Sequence, residues 1–254
     1  MRFPPAFALA LAALTVAMLA PIVGLAGRVS PAAVAAAFAD PQNRAALFVS
    51  LEASLAAVAI ASLLGVPAGY VLGGARGLWR NAILFALAVP LALPPLASGI
   101  LLLGVVGERA PLGAWLAAHG LGPVDSLGGV ALAEFFVSGS LVAIVSSAAF
   151  GELDPAFEES ARTLGASRLR SFFTVALPLA APGVGAGMLL AWLRALGEYG
   201  ATSIVAYHPT SLSIALEVAL SADGLERALA LSAGFVALSA AIVALTWLAR
   251  RRLV

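Results

Sequence analysis

Few residues in this chain are of a type that does chemistry, and their spacing limits what that chemistry is. There is no cysteine, which excludes disulfides, thiolate metal sites and thiol nucleophiles. All fourteen basic residues are arginine. A phosphate-binding P-loop needs a lysine to reach the β- and γ-phosphates, so the chain is not expected to carry that ATPase motor. His119 and His208 stand apart from other metal-ligating residues, and no H-E-x-x-H occurs, so no metal is expected. No nucleophile–base pair argues for a membrane hydrolase. What remains is charge inside apolar sequence, which is costly at membrane depth. Arg194 and Glu198 are four apart, so on one helix they share a face and neutralise each other. They are either a structural ion pair or the border of a translocation path. Glu52 and Glu134 lie near the beginnings of apolar runs, where they are expected to face an interface.

The elements that position these residues are set by composition. Hydrophobic residues make up 62% of the 254 residues, mean hydropathy is +1.03, and only 11% of residues are charged. Soluble domains are about 25% charged, so the chain is an all-α polytopic membrane protein. A span needs about 20 apolar residues. Candidates lie at about 6–26, 47–73, 82–105, 128–150, 179–206 and 228–249, giving about six transmembrane helices. The first run is longer than the usual ~7–15-residue core of a signal peptide and is read as a span. A net charge of +1 gives nucleic acid no footing.

Arginine placement predicts the orientation. With the N-terminus and C-terminus both cytoplasmic, inner segments hold Arg2, Arg76, Arg80, Arg162, Arg168, Arg170 and Arg250 to Arg252, nine in all. Outer segments then hold Arg28, Arg44, Arg109 and Arg227, four in all, with Arg194 inside a span. That asymmetry obeys the positive-inside rule. Gly65-x3-Gly69-x3-Gly73 and Gly183-x3-Gly187 let helix backbones approach closely, within the bundle or at a dimer seam. Pro90, Pro94 and Pro95 must bend or break the third span, because each lacks an N–H. The break either lines a pore or is a structural kink. Tyr199 and Tyr207 are expected near the membrane interface.

One long polar segment, about 151–178, separates two apolar ones. Asp154-Pro155 is an N-cap followed by proline at the first helical position, so a short helix is predicted from Ala156 to Leu164. Gly165 can turn left-handed and end it. Ser167 is placed to cap a second helix that carries Arg168 and Arg170 and runs to Leu177-Pro178. Helix, glycine corner and helix make an elbow, whether an ordinary amphipathic surface segment or a docking element.

Its spelling resembles the cytoplasmic coupling loop of importer-type ABC transporter permeases, E-A-A-x3-G-x9-I-x-L-P. The matching positions are Glu159, Ser160, Ala161, Gly165, Val175, Leu177 and Pro178, with Ser160 for alanine and Val175 for isoleucine. Further on, Arg194-Ala-Leu-Gly-Glu-Tyr-Gly-Ala-Thr202 is similar to the span-five signature of molybdate, tungstate and sulfate permeases, with Tyr199 for phenylalanine. The run Val89 to Pro95 and the segment Ile204 to Pro209 also resemble that group. The likeness covers roughly residues 45–250.

This resemblance implies a single transmembrane permease domain over 1–254. Its first span is at about 6–26, its core at about 45–250 and its coupling loop at about 151–178. The implied coupling residues are Glu158, Glu159, Ser160, Ala161, Arg162, Leu164, Gly165, Ala166 and Pro178. Candidates for the translocation path or gate are Pro94, Pro95, Ser98, Arg194, Glu198, Tyr199, Thr202 and Ser203. The resemblance further implies a homodimer, two ABC ATPase subunits that hold ATP and Mg, an extracytoplasmic binding protein and a multi-pass place in the cell membrane. The chain itself is expected to bind no cofactor. The expected cargo is molybdate or tungstate, with sulfate or thiosulfate as the alternative. A self-sufficient secondary anion carrier and a non-transporting scaffold are rivals from other classes, but neither needs the elbow's particular spelling.

Overall fold

The computed structural model describes residues 4–251, so Arg2 and Arg252 of the orientation argument lie outside the described residues. Every regular element among the described residues is helical. The chain divides into two compact units, one of residues 1–45 with 215–254 and one of residues 46–214.

In the first unit, α1 (Pro5–Ala26) is apolar all round and buries none of its residues. A helix with no polar face belongs in lipid or against another apolar surface. α2 (Pro31–Ala39) begins at Ser30, whose hydroxyl accepts from the Ala33 N–H at 3.1 Å. The last helix, α13 (Leu225–Arg251), lays Gly234 against the Phe38 ring of α2. Arg227 at its start pairs with Asp40 at 3.1 Å and Asp223 at 3.4 Å.

The second unit is packed around α7 (Leu127–Gly151), whose apolar stretch is more than half buried. Between helices in lipid there is little hydrophobic drive, so close van der Waals contact must hold them together. Small residues supply it. α3 (Pro41–Gly74) sets Gly65, Gly69 and Gly73 against α7, where a Cβ on Gly69 would sit 2.5 Å from the Ser146 Cβ. On α10 (Leu177–Leu196), Gly183 and Gly187 face Ala149 and Val145 of α7 in the same way. Both glycine series therefore pack inside the bundle.

Among the described residues, five helices are single, long and apolar enough to cross a membrane. The third expected span is two helices, α4 (Leu78–Ala92) and α5 (Pro95–Val106), bent by 109°. The break falls at Leu93-Pro94, because a residue before proline leaves the helical region and Leu93 takes ψ 140°. Pro90 stays inside α4. α6 (Pro111–Ala118) follows as a short helix. The expected fifth span, 179–206, is also two pieces. Its helix starts earlier, at Arg168, and stops at Leu196. After a break at Gly197 to Tyr199 comes the short α11 (Gly200–Val205), and then α12 (Leu212–Val218).

Candidate functional site

The elbow is built from its caps. Asp154 Oδ1 accepts from the Ala156 N–H at 2.9 Å and opens α8 (Pro155–Thr163). The helix closes with two reversed bonds, Gly165 N–H to Arg162 O and Ala166 N–H to Ala161 O, both 3.0 Å. That pair is a Schellman motif and needs a left-handed residue between them; Gly165 has φ +91°. Ser167 Oγ then accepts from the Arg170 N–H at 3.3 Å and starts the second arm, α9 (Arg168–Ser171).

The second arm does not end at Leu177-Pro178 as expected. It passes through a π-helical turn, Phe172–Ala176, straight into α10. In that turn the Leu177 N–H bonds back to Phe172 O. The wider turn gives Pro178, which lacks an N–H and crowds the preceding turn of an α-helix, a place in a continuous helix. The elbow's second arm is thus the first turns of a 29-residue membrane helix.

The two acidic neighbours on α8 point differently. Glu159 is exposed, while Glu158 is half-buried, accepting from Tyr70 Oη at 2.7 Å and from Ser171 Oγ at 3.3 Å. Of the two, Glu158 is the one that braces the elbow. Ser160 Oγ bonds Ala156 O at 2.8 Å within its own helix, so serine stands in for alanine without offering a new contact. Arg162 is exposed and Ala161 and Ala166 are half-buried. Leu164 is 89% exposed and Phe157 56%, an apolar tip on a polar helix. Phe157 escaped notice in the sequence; its place on α8 beside the elbow motif was the available signal.

The two breaks meet. A Cβ on Gly200 would lie 2.6 Å from the Pro95 Cβ, and one on Gly99 would lie 2.7 Å from the Ile204 Cβ. Glycine at both places lets α5 and α11 touch, a role not assigned from sequence. Pro94 is the N-cap of α5, and Pro95 its first residue. Ser98 and Thr202 are fully buried on these helices, and their hydroxyls have no hydrogen-bond partner among the described residues. Ser203 Oγ donates to Gly200 O at 3.1 Å.

Arg194 Nη1 pairs with Glu198 Oε2 at 2.5 Å, although the shared helix face is lost: Glu198 lies in the break, not in the helix. Its other oxygen accepts from the Ala201 N–H at 2.8 Å. One buried carboxylate therefore neutralises Arg194 and satisfies an orphan donor at the start of α11. Tyr199 occupies the N-cap position of α11 and is 38% exposed. Tyr207 is 39% exposed. Glu52 is exposed, but Glu134 is 0% exposed and its carboxyl has no hydrogen-bond partner among the described residues. The expectation that Glu134 faces an interface is corrected: it lies four residues from Val130 and three from Val137, on the face of α7 that is buried. His119 Nδ1 lies 2.7 Å from Trp115 O, and His208 Nδ1 lies 3.3 Å from Thr210 Oγ1; no group able to hold a metal occurs among the described residues.

The helices thus build a bundle with two broken apolar helices and a capped polar elbow that runs into a long apolar helix. Residues 65–252 match the family described as binding-protein-dependent transport system inner membrane component, and the chain belongs to that family. It is 35% identical over 216 residues to a probable molybdenum ABC transporter permease protein of Haloferax volcanii, covering 83% of this chain and 77% of that one. It is 33% identical over 214 residues to the molybdate/tungstate transport system permease protein of Thermococcus kodakarensis, covering 84% and 81%. Among solved structures, its fold is similar to a chain of a bacterial alginate ABC transporter in complex with an alginate pentasaccharide-bound periplasmic protein. There the TM-score is 0.67 at 18% identity, over 97% of this chain and 94% of that one.

Proposed function

We propose that this permease conducts a tetrahedral oxyanion, molybdate or tungstate, inward across the cell membrane. Two copies form the path, two ATPase subunits that hold ATP and Mg dock on the elbows, and an external binding protein delivers the anion. The observation that carries this reading is the elbow itself. A rigid capped corner with an exposed apolar tip (Phe157 and Leu164) is continuous with a membrane helix. Exposed apolar surface on a polar helix favours a protein partner. The names of the relatives favour molybdate or tungstate over sulfate.

In this reading Glu159, Arg162, Leu164 and Gly165 present the docking surface, with Ser160, Ala161 and Ala166 in the shaping turns and Pro178 where the lever enters the membrane. ATP closing the ATPase pair draws the elbows together and shifts the bundle between two packings. Net import requires that ATP and the loaded binding protein favour the same state. The path runs beside the α5–α11 contact, where Pro94, Pro95, Ser98, Tyr199, Thr202 and Ser203 gather. Arg194 is already neutralised by Glu198, so a dianion meets no deep charge trap there and is released readily.

The test is co-purification with the ATPase subunit, then hydrolysis in liposomes with binding protein loaded with molybdate, tungstate or sulfate. Stimulation by the molybdate- or tungstate-loaded protein is expected. Ion-driven uptake by this chain alone, with no ATPase association, overturns the reading.

A further inference from the structure

Glu158 is tied to a residue 88 positions away in the sequence. Tyr70 comes from the end of α3, and its hydroxyl reaches the Glu158 carboxylate at 2.7 Å. The ring is wedged edge-on between Phe150 of α7, with centroids 5.4 Å apart, and Phe172 of the π turn, 4.9 Å apart. Phe150 and Phe172 are themselves 5.9 Å apart. One side chain thus touches α3, α7, the π turn and α8.

The ring and the hydroxyl do different things. The ring fills apolar volume in the cluster of Phe150, Phe172, Ala176 and Ala180, and a phenylalanine fills it equally well. The hydroxyl makes a directional bond to a charged acceptor, which is stronger than a neutral one. Among the described residues it is the side-chain hydrogen bond that joins α8 to α3. Ser171 Oγ donates to the same Glu158 oxygen, Oε2, at 3.3 Å, so one carboxylate oxygen ties the elbow's second arm and a separate membrane helix together. The π turn lies within this clasp, and such wide turns recur where a helix serves function.

We infer that Tyr70 is a positioning residue for energy coupling: its hydroxyl, through Glu158, passes movement of the docked elbow to α3 as well as to α10. The inference rests on the elbow being the ATPase docking site proposed above. Without this bond the elbow still docks and still pulls α10, but α3 is coupled to it only by slippery apolar contact.

The experiment compares the complete transporter with its Tyr70→Phe variant in proteoliposomes, reading anion uptake and ATP hydrolysis together. Hydrolysis is expected to stay within about twofold, while anion moved per ATP falls about fivefold, the scale of one hydrogen bond's worth of coupling. Glu158→Gln retains an oxygen that accepts from Tyr70 but loses the charge, so its ratio is expected between wild type and Tyr70→Phe. Glu158→Ala, which also loses the Ser171 bond, should fall at least as far as Tyr70→Phe, and adding Tyr70→Phe to it should lower the ratio no further. This pair also keeps the test standing if Tyr70→Phe assembles poorly. A wild-type ratio in Tyr70→Phe and Glu158→Ala, or hydrolysis and uptake falling in step, overturns this inference alone. A wild-type chain that neither captures the ATPase nor supports hydrolysis overturns the docking reading with it.

Discussion

At Gly165 an added Cβ would meet no atom within 4 Å, yet the backbone sits at φ +91°. Any intolerance there comes from conformation and not from crowding. A left-handed residue with a Cβ costs about 1–2 kcal/mol, and β-branching worsens it, whereas asparagine is accepted at such C-caps. Gly165→Val should therefore insert normally but hold the elbow in the wrong shape, weakening ATPase capture about tenfold. Gly165→Asn should lie close to wild type. A titration of the ATPase subunit against detergent-solubilised permease reads both, and equal capture by wild type and Gly165→Val would show that the corner's shape does not govern docking. Glu198 illustrates the same scale from the other side. Its two oxygens serve Arg194 and the Ala201 N–H, so its charge and its acceptor geometry are both in use.

Among the elements, the α3–α7 contact is a sharp constraint. A Cβ at Gly69 would fall 2.5 Å from the Ser146 Cβ and 3.0 Å from Ala143 O, while one at Gly74 in the same helix meets nothing within 4 Å. Gly69→Ala should destabilise the bundle by about 1–3 kcal/mol, the cost of overpacking, and so lower the thermal transition in detergent; Gly74→Ala should leave it unchanged. Similar transitions for the two variants would mean that α3 and α7 do not pack as described. The sequence made much of this level readable, because caps and glycine spacings obey local rules. Asp154, Gly165 and Ser167 each do what their type and position imply. The prolines announced a break in the third span, though not a bend of 109°. The break after Leu196 was not legible, since Gly197-Glu198-Tyr199 sits in a run apolar enough for one helix, and only the cap that Glu198 gives to α11 explains why it ends. Nor could sequence choose Glu158 over Glu159 as the braced carboxylate. That choice depends on which face of α8 meets Tyr70, a contact between distant segments.

For the molecule as a whole, orientation is the property on which the docking proposal stands. The elbow and the loop around Leu121 lie on either side of α7, a single 25-residue helix. At 1.5 Å per residue it is about 37 Å long, enough to cross a hydrocarbon core of about 30 Å. Leu121 is 64% exposed and Leu164 is 89% exposed. Because the chain has no cysteine, one introduced at either position is the only thiol present, and neither substitution disturbs a packed side chain. If the arginine-rich segments face the cytoplasm, a membrane-impermeant maleimide should label Leu164→Cys in inside-out vesicles and not in right-side-out ones. Leu121→Cys should show the opposite pattern. Reversal of both would put the elbow where no ATPase can reach it. Labelling of both from one side would mean that α7 does not span, and with it the bundle's central helix would lose its place in the membrane.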